Sequence, residues 1–229
     1  MTPFLFYPVK DKINPTNLFG ANPIEYKPLG QNGHPGNDYE SITGTPLYCP
    51  VDGLARYNWD SLGGDGIWIK TTQQGQNYNI ILWHMPTLSN SGIPTVANAS
   101  QYPFQIKTDG NYYPVKAGQL LGYTDNSGYH PVGPSESTAQ HLHLGVMPAN
   151  ENWAAQNPNN GYLGCVDPHP FYNGLFAEDI GKPPVVIPPP VIIPPLPAPL
   201  PPNPTPVQES NWLTSITNWL IKVLASLQK

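Results

Sequence analysis

The segment HLHLG places His141 and His143 one residue apart in an otherwise apolar run. On a strand, alternate side chains share a face, so the two imidazoles point one way while Leu142 and Leu144 point the other. Two imidazoles held about 7 Å apart along a strand can both reach a small object on that face, and a metal ion is the evident candidate. A hydrolytic zinc site needs three protein ligands of N or O type and an open position for water. The pair supplies at most two of them. GHPGNDYE adds His34 and Asp38, four residues apart, in a tight turn made by Gly33, Pro35 and Gly36 that lets imidazole and carboxylate converge without a helix. His84 closes the strand-like run YNIILWH and is the fourth histidine in play. His130 and His169 have no such company and read as loop and packing residues.

These side chains need a scaffold, and the pattern around them is that of short strands broken by Gly-rich turns. Between about residues 45 and 147 no stretch keeps a helical apolar period for more than about ten residues. Candidate strands are Leu47–Pro50, Gly53–Trp59, Gly66–Thr72, Asn77–His84, Gln119–Thr124 and His141–Met147, with turns at Gly63-Gly64-Asp65-Gly66 and Gln73-Gln74-Gly75-Gln76. The spacing predicts a mainly β body built on an antiparallel sheet. Residues 86–114 are long, polar and aromatic without a period, and read as an insertion or elaborated loop of the kind that shapes binding surfaces.

Composition sets further bounds. Of 229 residues 31 are Pro, and 13 of these fall between Pro183 and Pro206, which marks a boundary after about residue 180. The prolines of the run PPVVIPPPVIIPPLPAPLPPNPTP lack backbone donors and fix φ, so residues 181–209 read as a polyproline II linker, the 24-residue run itself reaching roughly 75 Å if fully extended. Residues 210–229 follow as an amphipathic helix capped by Ser210, with Trp212, Leu213, Ile216, Trp219, Leu220, Val223, Leu224 and Leu227 on one face. Its apolar face suits a protein partner or a second copy of itself, with a membrane interface or the chain's own β body as alternatives; it is too interrupted to span a bilayer. Charged residues make up 11% of the chain and the formal net charge is −5, which leaves no basic footprint for nucleic acid. The start, MTPFLFYPVKDKINP, does not read as a signal peptide. Cys49 and Cys165 have no CxxC spacing and read as buried free thiols rather than a bridge.

Taken in order, the motifs resemble the lysostaphin-type, or LytM-type, zinc metallopeptidases that cut the peptide part of bacterial peptidoglycan. That family carries a His-x3-Asp motif, an isolated histidine after a strand and a His-x-His motif, matched here by His34 and Asp38, by His84 in ILWHM, and by STAQHLHLGV. TPLYCPVDGLARY, VKAGQLLGYTDNSG and CVDPHPFY resemble the family's strand-turn-strand entry, its hairpin before the His-x-His strand and its closing segment. The likeness covers about residues 17–172. Departures are Asn37, Ala139-Gln140, and extra residues in 86–114 and around YHPVGPSE; none removes a chemical group.

The resemblance implies a single catalytic domain over residues 1–180 with an antiparallel β-sheet and long loops. It implies Zn²⁺ held by His34, Asp38 and His143, with His141 and His84 as the unliganded catalytic pair: His141 to move the water's proton, His84 to stabilise the oxyanion or orient the water. Other divalent ions suit the same N,N,O set. The implied partner is peptidoglycan, acted on at the cell wall, and the tail fits a phage lysin or virion-associated enzyme. The alternative is an inactive module of the same family that binds the wall or builds a phage particle.

Overall fold

A computed structural model describes residues 2–14, 16–86, 110–128 and 140–182. One compact unit spans Met1–Pro184. All but residues 181–182 of the linker and helix expected over residues 181–229 lie outside the described residues, as do most of the 86–114 segment and His130. No helix among the described residues is long and apolar enough to cross a membrane.

The described unit is mainly β and antiparallel, as expected. Its strands are β1 (Leu5–Tyr7), β2 (Asn37–Tyr39), β3 (Pro46–Tyr48), β4 (Gly53–Asp60), β5 (Gly64–Gln73), β6 (Gln76–Met85), β7 (Tyr113–Val115), β8 (Leu120–Tyr123), β9 (Leu142–Ala149) and β10 (Tyr172–Phe176), with one short helix, α1 (Pro23–Tyr26). Six of them form one antiparallel sheet in the order β2-β9-β6-β5-β4-β7. β3 pairs antiparallel with β8, and β1 runs parallel to β10, tying the two ends of the unit together through a stacked Tyr7–Tyr172 pair.

The period of two assigns the faces of the large sheet. Tyr39, Ile67, Ile69, Tyr78, Ile80, Leu82, Leu142, Leu144 and Val146 are buried together with Leu47, Val51 and Leu121 in the main core. The intervening residues Ile81, Trp83 and Met147 pack with Cys165 in a second cluster on the opposite face. β9 is buried on both faces, so its leucines complete the core while His143 and Met147 belong to the other side. Both cysteines are free and buried, and burial pushes each thiol up to about 12.

Two hairpins differ in how they turn. Gln73 pairs with Gln76, and Gln74 and Gly75 between them have φ of 50° and 80°, the left-handed pair that a two-residue turn matched to strand twist requires. Of the glycine cluster expected to turn at residues 63–66, Gly63 closes a turn at residues 61–63, while the rest enters β5, pairing Gly64 with Asp60 and Gly66 with Asn58. Those glycines serve close approach. A Cβ on Gly63 would stand 2.4 Å, and on Gly66 2.3 Å, from ring atoms of Trp83. At the end of the expected insertion, Tyr113–Val115 pairs with β4 as the sheet's edge, the position where Pro114 costs no ladder bond.

Candidate metal centre

Register brings the first two groups together. β2 lies beside β9 with Asp38 opposite His143, and β6 lies on the other side of β9 with Trp83 opposite His143. Directly opposed residues have Cβ atoms about 4.5–5.5 Å apart, so the carboxylate meets the imidazole without any special loop. His34 arrives from the turn before β2. That turn is pinned on Ala21 and Gly20: His34 N donates to Ala21 O at 2.9 Å, and Gly20 N donates to His34 O at 2.8 Å.

The three side chains converge through one atom each. His34 Nε2 lies 2.9 Å from His143 Nδ1 and 3.2 Å from Asp38 Oδ1, and His143 Nδ1 lies 3.1 Å from the same oxygen. All three residues are buried, at 2%, 7% and 2% exposure for His34, His143 and Asp38. A tetrahedral zinc with bonds of about 2.0–2.2 Å has ligand edges of roughly 3.3–3.6 Å, within a few tenths of an ångström of this triangle. With both ring nitrogens deprotonated, the three atoms would turn lone pairs toward one point in a buried site, a donor set that fits a divalent cation. This is the cluster of described residues that could hold a metal.

The other two histidines stand beside the triangle. His141 Nε2 lies 3.4 Å from Asp38 Oδ2, and its ring centroid is 4.3 Å from that of His84. His84 reaches the site by breaking the alternation of β6. Its φ is +65°, a left-handed conformation that a non-glycine residue holds only at some cost, and its ring lines the same groove as that of Trp83. His84 N donates to Gly63 O at 3.1 Å, and its Nδ1 lies 2.6 Å from Ser127 O. A carbonyl only accepts, so Nδ1 carries the proton. His169 is exposed, in the short 3-10 helix His169–Phe171 before β10.

Electrostatics follow from burial and proximity. Burial alone would raise the Asp38 carboxyl, but the His34 and His141 imidazoles beside it, with hydrogen bonds from His143 and His34, hold it well below the usual carboxylate range. Burial, aided by the neighbouring imidazoles, keeps His84 well below its ordinary value, and burial lowers His143 against the pull of Asp38. Carboxylate and neutral imidazoles are the forms that bind metal.

The site opens into a groove of about 720 Å³. One wall carries Asn14, Thr16, Asn17 and Asn22, and another Trp68, Ile81, Trp83 and Met147. Several of these were not legible from the sequence. Asn17 donates from Nδ2 to Asp38 Oδ2 across 21 residues of chain. Tyr26 sets its ring 5.5 Å from that of His34, and burial keeps its phenol protonated far above its ordinary value. Neither belongs to a local pattern; the only cue is that NPTNLFGANP is dense in residues whose short polar side chains bind nearby groups.

No family model matches the chain, and no curated protein matches it. Among solved structures the chain is similar in fold to the catalytic domain of the antimicrobial peptidase lysostaphin from Staphylococcus simulans, at 22% identity over 75% of this chain and 89% of that one, with a TM-score of 0.39. Against longer lysostaphin from the same organism the identity is 22% and the TM-score 0.46, covering 82% of this chain and spanning 60% of that protein. The catalytic domain of the prophage-encoded protein EnpA from Enterococcus faecalis, a point mutant, matches at 22% identity over 73% of this chain and 95% of that one, with a TM-score of 0.39.

Proposed function

We infer that the chain is a zinc-dependent endopeptidase acting on the peptide part of bacterial peptidoglycan. The observation that carries the reading is the convergence of His34 Nε2, Asp38 Oδ1 and His143 Nδ1 within 3.2 Å of one another at the floor of an open groove. The wall substrate rests on the resemblance of the three motifs to the lysostaphin-type peptidases. Action outside the cytoplasm, by a lysin released from or carried by a phage particle, belongs to the same proposal.

His34, Asp38 and His143 would hold the ion. When bound, zinc supplies Lewis acidity toward a peptide carbonyl and acidifies a water molecule. The chain's own residues do the rest. His141, part-exposed and on the same strand face as His143, is placed to take a proton from the attacking water at one ring nitrogen and return it to the leaving amine. His84 holds its proton on Nδ1, toward Ser127 O, and stays neutral, so its Nε2 is an acceptor. Of the two roles expected for it, orienting the water fits an acceptor, whereas stabilising an oxyanion needs a donor. The indole rings of Trp68 and Trp83 line the groove beside the reacting centre and exclude water from one side of it.

The reading is tested on purified sacculi, by following turbidity and identifying the released fragments by mass spectrometry. Clearing that stops on chelation and returns with Zn²⁺ supports it, and newly exposed amino and carboxyl ends identify the bond. Zinc-loaded protein that releases no peptide from sacculi of either Gram type would refute it.

A further inference from the structure

Asp38 has two oxygens, and they have different partners. Oδ1 faces His34 and His143 at 3.2 and 3.1 Å. Oδ2 accepts a hydrogen bond from Asn17 Nδ2 and lies 3.4 Å from His141 Nε2. The direction of the Asn17 amide is set by a further residue: Asn22 Nδ2 donates to Asn17 Oδ1 at 2.8 Å. A carboxylate only accepts, so with its oxygen engaged by Asn22 the Asn17 amide turns its amino end to Asp38. Backbone bonds hold the same segments in register. Asp38 N donates to Asn17 O at 3.2 Å, and Asn14 N donates to Asp38 O at 2.7 Å.

Asn22 occupies an unusual position for this work. It is the N-cap residue of α1, where an Asn side chain ordinarily accepts from the first-turn N–H groups. Here it makes no such bond, and its φ is +54°. The side chain is turned instead to Asn17 Oδ1 and to Thr16 O, the latter at 3.4 Å. A left-handed backbone and a forgone cap together mark a side chain whose orientation is fixed by the network it serves.

We propose that Asn17 and Asn22 are positioning residues for the metal centre, a two-amide relay that fixes the Asp38 carboxylate with Oδ1 presented to the ion. The proposal rests on the zinc reading of the site. Outer hydrogen bonds orient ligating groups, and losing one typically lowers metal affinity about 10–100-fold.

The test is zinc affinity of the full chain, measured by competition with a chromogenic chelator, alongside thermal unfolding of each metal-free protein. Asn17→Ala is expected to bind zinc about 10–100-fold more weakly. Asn22→Asp is the sharper variant, because it keeps the shape and tolerates the left-handed backbone yet can no longer donate to Asn17, whose amino end then turns away from Asp38. Its added negative charge alone would tighten cation binding, so a loss of about tenfold points to the relay and not to charge or packing. Wild-type affinity in Asn22→Asp, with Asn17→Ala weakened, would remove Asn22 from the relay. Wild-type affinity in both would overturn the proposal while leaving the zinc site standing. A wild-type chain that takes up no zinc would instead overturn the zinc reading, and the relay with it.

Discussion

A single methyl group at Gly36 should loosen the metal centre without replacing any ligand. Gly36 is not in the left-handed region, so Ala adds only volume. Its Cβ would stand 2.4 Å from Leu144 O and 2.7 and 2.8 Å from Cε1 and Nε2 of His143, where ordinary contact begins at 3.4 Å. The His143 ring must therefore retreat by about 3.4 − 2.8 = 0.6 to 3.4 − 2.7 = 0.7 Å, and the contact with Leu144 O also pushes the chain at Gly36 away from β9, carrying Asp38 with it. Metal sites hold ligand distances to within about 0.2 Å, so either movement exceeds the tolerance. The expected loss is about 10–100-fold in zinc affinity, or about 1.4–2.8 kcal/mol, with an overpacking cost of about 1–3 kcal/mol in the metal-free fold. Gly75→Ala separates the two effects. A Cβ there meets nothing within 4 Å, but φ is +80°, so the fold should lose roughly 1–2 kcal/mol with zinc affinity unchanged. Chelator competition and thermal unfolding on both variants decide the matter. Wild-type zinc affinity in Gly36→Ala, or an equal loss in Gly75→Ala, would refute the steric reasoning.

Three more outcomes follow from the same geometry. His143→Ala should lose metal and cleavage together, whereas His141→Ala should keep its zinc, measured by atomic absorption, and lose turnover by about 10²–10⁴-fold; equal zinc loss in both would collapse the division of roles. His84 and His143 sit below their ordinary values in the fold, so below about pH 6.5 the unfolded chain binds more protons than the folded one. Stability of the metal-free protein should be fully present above that pH and fall on acidification by up to about 1.4 kcal/mol per pH unit per imidazole. Urea midpoints at neutral and mildly acidic pH test this, with His84→Asn, which tolerates the left-handed backbone, giving the shallower slope; a midpoint that rises on acidification would contradict it. Removal of residues 183–229 should leave cleavage of soluble peptidoglycan fragments within about twofold of the full chain, because the unit Met1–Pro184 carries its own core; loss of that cleavage would assign the tail to the catalytic unit.

Legibility of the fold tracked the length of each periodic run. The strands of 8–10 residues, β4, β5, β6 and β9, announce themselves through β-branched and aromatic residues between turn signals. The three-residue strands β1, β2 and β7 are too short to carry a period, and NDY in β2 has no β pattern of its own; it becomes a strand because β9 lies beside it. The glycine cluster misled from Gly64 onward for a related reason: glycine marks turns and close packing alike, and Gly66 enters β5 against the Trp83 ring. In the site, residue types and spacing singled out His34, Asp38, His84, His141 and His143, and the fold gathers all five around one point. Asn17, Asn22 and Tyr26 escaped because their part in the site depends on contacts made by folding, not on neighbours in the chain. The left-handed backbone of His84 escaped in another way, since no sequence pattern shows that a strand will break its alternation to aim one imidazole.

Anomalous scattering from crystals of the zinc-loaded chain, collected on both sides of the zinc edge, addresses the metal centre most directly. A single strong peak about 2.0–2.2 Å from His34 Nε2, Asp38 Oδ1 and His143 Nδ1, with His141 and His84 outside bonding distance, is the expected result. A peak elsewhere, a ligand set that includes His141 or His84 in place of His143, or no peak at all from protein soaked in zinc would contradict it.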